Sequence, residues 1–171
     1  MPKIIMFSFM FFSTFCFSQH TESYLSFANN FKFLDSSKVE IKWRNGKVKE
    51  RKNIIKIEYK NTEYDRLTDI YTQFNRKGIK RTESLFDKYG NYLSYKFFDL
   101  DGNIITEFIT LKIDYNEKGF VEITELWNEY MSSKNDVYLY KQGKKRNNKK
   151  IGTWLTFDNC GNIVKEKNFA N

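Results

Sequence analysis

Proline is all but missing from this chain, with Pro2 the single example among 171 residues. That excludes a stiff proline-rich linker, and no composition shift marks a boundary downstream, so residues 20–171 read as a single domain. Cysteine is almost as scarce, with only Cys16 and Cys160, so no disulfide framework can hold the fold. There is one histidine, His20, which removes the usual zinc ligand sets. A Ser-His-Asp or Cys-His catalyst needs its base held in a packed site, and His20 falls at the expected start of the mature chain, where a frayed terminus cannot hold it. Long apolar runs are lacking too. The longest covers residues 4–17, a length that suits a secretory signal core and is too short to span a bilayer.

That run follows Lys3 and ends at Ser18 and Gln19, before an abrupt change to polar sequence, so residues 1–19 read as a signal peptide. The chain is expected to be exported, to the periplasm or beyond, with no transmembrane span once the signal is removed. Cys16 raises the alternative of a lipid anchor, although Phe15 stands where a small residue is expected. Loss of the signal leaves Cys160 alone, either filling a turn position or pairing between chains. Abundant Lys, Asn, Ile, Phe and Tyr suit a bacterial source.

What the chain does have is aromatic side chains, 18% of all residues, and a repeat. Phe74-Asn75-Arg76-Lys77-Gly78 is followed at twelve-residue intervals by Phe86-Asp87-Lys88-Tyr89-Gly90 and Phe98-Asp99-Leu100-Asp101-Gly102. The pattern returns as Tyr115-Asn116-Glu117-Lys118-Gly119 and Phe157-Asp158-Asn159-Cys160-Gly161. Asp or Asn opening four residues that close on Gly predicts a type I turn with a left-handed glycine, a common hairpin connection. The stretches between are rich in aromatic and β-branched residues, as strands are. Twelve is even, so each copy keeps its side chains on the same face. Both faces carry apolar groups, so the sheet is expected to be covered, curled or paired.

Around this ladder the pattern predicts one helix in residues 20–37, capped by Thr21 or Ser23 and weakened at Asn29 and Asn30. Residues 39–44 and 47–51 form a hairpin through a type I′ turn at Asn45 and Gly46. Residues 54–59 form a half-buried strand and 61–65 a turn. Strands follow at 120–127, 137–140, 151–157 and 162–169. The fold class is all-β: an antiparallel meander of nine or ten strands with one short N-terminal helix. An open twisted sheet is preferred, and a closed barrel is the alternative.

The aromatic-Asp-x-x-Gly-Asn unit resembles the repeats of YD-type and MORN-variant proteins. The likeness is clearest over residues 138–169, where Gly143-Lys144-Lys145 leads to Gly152-Thr153-Trp154 and then to Phe157-Asp158-Asn159-Cys160-Gly161-Asn162. Trp43-Arg44-Asn45-Gly46-Lys47 resembles a half copy. The resemblance implies an interaction protein without a catalytic site.

Candidate chemistry is sparse. Asp99 and Asp101 suggest a calcium loop, but Phe97 and Phe108 occupy its first and last ligand positions. Glu83 with Glu107, or Glu122 with Glu125, are the carboxylate pairs a glycosidase would need, and solvated strand glutamates are the plainer reading. No cofactor or metal is implied. Lys141, Lys144, Lys145, Arg146, Lys149 and Lys150 place six positive charges in ten residues, without an acid among them. In an exported protein that patch points away from nucleic acid and toward an envelope protein or an anionic surface component. The candidate binding residues are therefore Lys144, Lys145, Arg146, Lys149 and Lys150 of a Lys-rich loop, with Trp127 and Trp154 among the aromatics. The expected function is a non-catalytic interaction module; a carrier of a small apolar ligand inside a closed barrel is the alternative.

Overall fold

The computed structural model describes residues 19–132 and 136–170, so the signal-peptide and Cys16 anchor expectations lie outside the described residues. One helix, α1 (Glu22–Ala28), precedes ten strands: β1 (Lys32–Lys42), β2 (Val48–Tyr59), β3 (Thr62–Phe74), β4 (Lys80–Phe86), β5 (Tyr92–Phe98), β6 (Ile104–Tyr115), β7 (Val121–Ser132), β8 (Val137–Arg146), β9 (Lys149–Phe157) and β10 (Ile163–Phe169). Every strand pairs antiparallel with its sequence neighbour in a single sheet, and the meander expectation holds. The sheet is open: β1 and β10 each have one strand neighbour, which removes the closed barrel and with it an enclosed ligand cavity.

The repeated turns form through one hydrogen-bond pattern. In each Asp copy, Oδ1 accepts from the backbone N–H groups two and four residues on, and Oδ2 accepts from an Asn side chain four residues on. Asp87 does this with Tyr89 and Asn91, Asp99 with Asp101 and Asn103, and Asp158 with Cys160 and Asn162. Asn75 and Asn116 make the same two backbone contacts through Oδ1. Their amide nitrogen cannot accept a third bond. The residue after the glycine is then Ile79 or Phe120 instead of Asn.

Asn45 and Gly46 do not form the expected I′ turn. Only Gly46 has positive φ, +79°, and its N–H donates to Trp43 O, so this is the ladder's turn type with Trp43 in the Asp position. Two-residue connections of the primed kind, with positive φ at both positions, occur instead at Lys60 with Asn61 and at Asn147 with Asn148. The turn expected over residues 61–65 is therefore confined to two residues, and β2 and β3 run long on either side of it.

The helix is shorter than its apolar periodicity suggested. Thr21 is the N-cap, as expected, and its hydroxyl accepts from Tyr24 N–H while donating to Asp114 on β6. At the other end the Asn30 side chain donates to the Ser26 and Phe27 carbonyls, closing the helix three residues before β1 begins. Asparagine competing for backbone groups won over the apolar pattern.

What the helix covers follows from strand length. β4 and β5 have seven residues each, whereas β3 has thirteen and β6 twelve. Their shared turn, residues 87–90, therefore stops short and leaves β6 with an unpaired edge. The chain fills that edge with its own N-terminal segment: Ile113 N–H donates to Gln19 O, and Thr21 N–H donates to Ile113 O. The helix then crosses the gap, where Phe27 stacks on Tyr115 at 4.0 Å and meets Tyr59 of β2. Tyr24, Ala28, Tyr89 and Ile113 form the buried cluster beneath it.

His20 is not frayed, which corrects the expectation. Its Nε2 lies 2.6 Å from Asp87 Oδ2, and its ring stacks against Tyr24. Burial pushes the Tyr24 hydroxyl up to about 12. The helix covers only one end of one face. On the far face Ile70 (58% exposed), Leu85, Ile109 and Leu111 carry no covering element among the described residues, so the expected cover is partial.

Gly90 tests how tightly the short turn is seated. A Cβ there would lie 2.7 Å from Arg66 Cβ, whereas at Gly102 it would meet nothing within 4 Å, and both residues have positive φ. Gly90→Ala should therefore cost about 1–3 kcal/mol more than Gly102→Ala in urea unfolding, the shared φ strain cancelling in the difference.

The turn carboxylates also predict an acid response. Asp99 and Asp158 are held below the usual carboxylate range, chiefly by the Asn103 and Asn162 side chains respectively. A carboxyl with a depressed folded pKa adds stability above its unfolded value, and loses it as pH falls through the folded value. The melting temperature should drop as pH falls below about 4, and the D99N/D158N double variant should show a shallower drop from a lower starting point.

Candidate binding face at the β7 to β10 end

Cross-strand register sorts every candidate residue onto one of two faces. The helix face carries the row Tyr71, Ser84, Tyr95, Phe108, Trp127 and Gly143, each opposite the next on strands β3 to β8. Tyr95, Phe108 and Trp127 stack in sequence, with ring centroids 5.5 and 4.8 Å apart. Gly143 ends the row because Trp154 of β9 lies across it. A Cβ on Gly143 would sit 2.3 Å from the indole ring, and Trp154 Nε1 donates to Lys144 O at 3.0 Å. Trp154 is 4% exposed, so its role is to hold β9 on β8, and a ligand does not reach its faces directly.

Lysines gather beside this row. Lys145 stands opposite Glu125 on one side and Lys150 on the other, so all three share the helix face. Lys141, opposite Thr156, and Lys165, opposite the same Thr156, share it too, and Lys167 lies opposite Trp154. Lys145 Nζ lies 3.3 Å from the centre of the Trp127 ring, and Lys150 Nζ lies 3.9 Å from that of Trp154. Burial lowers the Lys145 ammonium, an effect that Glu125 opposes. Burial likewise raises the Glu125 carboxyl, although Trp127 Nε1 donates to it at 2.7 Å. Lys145 and Lys150 face each other directly across β8 and β9, a like-charge pairing that destabilises a strand pair and that Glu125, opposite Lys145, offsets in part.

The expected Lys-rich loop is thus no loop. Its residues lie on β8 and β9, joined by the two-residue connection at Asn147 and Asn148, and strand alternation divides them. Lys145 and Lys150 are on the helix face with Trp127 and Trp154. Lys144 and Arg146 pair with Ile151 and Lys149 on the far face. Lys165 and Lys167 are missing from the expected set because they lie some fifteen residues on in sequence; their period-two spacing in β10 was the available signal.

Hollows open on the helix face among the described residues. A groove of about 620 Å³ runs along Tyr92, Tyr95, Phe108 and Trp127, with Glu125 at its base. A smaller one of about 200 Å³ is bounded by Lys141, Lys150, Trp154, Lys165, Lys167 and Phe169, beside the sheet edge.

The carboxylate pairs are not assembled. Glu122 and Glu125 are an odd number of residues apart on β7, so they point to opposite faces, and Lys96 stands between Glu83 and Glu107 in register. Asp99 spends its oxygens on its own turn. Among the described residues no group of three or more His, Cys, Asp or Glu could hold a metal ion, and no helix is long and apolar enough to cross a membrane. Cys160 is exposed in the β9–β10 turn. No family model, curated protein or solved structure matches the chain.

Gly143→Ala is the direct test of this arrangement. The methyl must displace Trp154 from β8, so the variant should lose about 1–3 kcal/mol in chemical unfolding and show a red-shifted tryptophan emission. An unchanged spectrum and midpoint would mean that the indole does not rest on Gly143.

Proposed function

We propose that the protein is an exported, non-catalytic interaction module that binds an acidic part of another envelope protein through the β8–β10 end of its helix face. One observation carries this reading: Lys141, Lys145, Lys150, Lys165 and Lys167 share one face, and two of them are directly opposed. Glu125 and Glu129 offset part of the repulsion in this cluster, at Lys145 and Lys141, and an anionic partner would offset the rest. Lysine stems packed along Trp127 and Trp154 fix the positions of the ammonium groups, so less side-chain freedom is lost on binding. The open sheet offers no closed cavity for the carrier alternative. The resemblance of residues 138–169 to MORN-variant repeats points to an interaction role as well.

The test compares two triple variants of equal charge change on opposite faces. Binding of a fluorescent poly-glutamate peptide should weaken at least tenfold in K150Q/K165Q/K167Q, and stay within about twofold of wild type in K144Q/R146Q/K149Q, with affinity falling as salt rises. Equal losses would show that net charge alone attracts the peptide, and the assigned face would be wrong.

A further inference from the structure

We propose that the acidic partner binds as an extended strand added to the free edge of β10, main chain to main chain. This rests on the reading above that the helix face takes an acidic partner. β10 pairs with β9 on one side only, so among the described residues the backbone groups on its other edge have no strand partner. Such an edge is a template for a further strand.

The side chains on β10 select which strand. Lys165 and Lys167 alternate onto the helix face, and neither makes an ion pair within 4.0 Å among the described residues. A strand laid against them is stabilised by carboxylates at alternate positions, because opposite charges across a strand pair attract and like charges repel. A second copy of β10 is the wrong strand. Paired antiparallel about Glu166, it would set Lys165 against Lys167 and Glu166 against Glu166. The edge therefore resists its own kind and accepts an acidic segment. Immediately inward lies the hollow bounded by Lys150 and Phe169, which adds an apolar wall and a further ammonium group for one partner side chain, while Lys141 on its far side is already paired with Glu129.

The opposite edge differs. β1 carries both signs of charge, and its Lys32, Lys42 and Glu40 are already in ion pairs with β2 or with each other. Its start is also tied down, through Phe31 against Phe27 of the helix, Tyr59 of β2 and Tyr89 of the β4–β5 turn. Charge complementarity with one class of strand is a property of β10 alone among the two edges.

The experiment uses a labelled ten-residue peptide of alternating Glu and Thr, and a twin of the same sequence with every backbone amide N-methylated. The methylated twin keeps the charge and cannot donate to a strand. Expected results are saturable binding of the first peptide, slowed hydrogen exchange at β10 amides in its complex, and binding at least tenfold weaker for the twin. Equal binding of both peptides, with β10 exchange unchanged, overturns strand addition while leaving the charge reading intact. Binding of neither peptide overturns the charge reading, and this inference with it.

Discussion

The carboxylate of Asp87 is the point on which the architecture turns. It closes its own hairpin through Tyr89 and Asn91, as its counterparts Asp99 and Asp158 close theirs, but those two lie in the open. Asp87 is buried, and its second oxygen also takes His20. One side chain thus ends the short β4–β5 hairpin and fastens the N-terminal segment across the gap that the hairpin leaves. A charge buried to this extent persists only with its hydrogen bonds complete. The same cluster that seats the helix is therefore the one least able to tolerate a missing partner.

This explains what could be read in advance and what could not. Turn chemistry is local, so Asp or Asn followed by Gly located five hairpins correctly, and with them the seven strands β3 to β7, β9 and β10. Strand length is not local. The twelve-residue interval already implied strands of about seven residues for β4 and β5, but nothing local announced that their neighbours β3 and β6 would run to thirteen and twelve, and so the gap was invisible. His20 was misjudged for that reason: a residue near a chain start looks frayed until a free strand edge is seen beside it. Trp43 shows the converse, where an Asn-Gly pair with a strong I′ preference yields to the type used by the rest of the ladder, and the primed turns go to Asn61 and Asn148.

The candidate site was half legible. A run of cations between residues 141 and 150 is obvious, but which of them act together depends on parity, and parity depends on where each strand begins. Register places Lys145 and Lys150 with the tryptophans and sends Lys144, Arg146 and Lys149 to the other side. It also recruits Lys165 and Lys167 from a strand that composition alone did not connect with them. Trp154, expected among the binding aromatics, is buried instead: its indole occupies the space above Gly143 and fixes β9, with Lys150 Nζ 3.9 Å from its ring centre.

An open meander has two edges to protect, and this chain treats them differently. The β1 edge is tied down at its start by the Phe31 contact to Phe27 and carries Lys32, Glu40 and Lys42 in ion pairs. The β10 edge aligns Lys165 and Lys167 on one face, without ion pairs among the described residues, and with Ile163 and Val164 exposed beside them. Lysine on an edge strand is a common guard against self-association, and guarding requires only that like meet like. The additional lysines of β8 and β9 are not on the edge and guard nothing there, yet they converge on the same side, at the expense of facing Lys145 with Lys150. Protection of the edge accounts for Lys165 and Lys167, and Glu129 and Glu125 lie against Lys141 and Lys145; what the proposed acidic partner adds is a reason for all five to converge on one side.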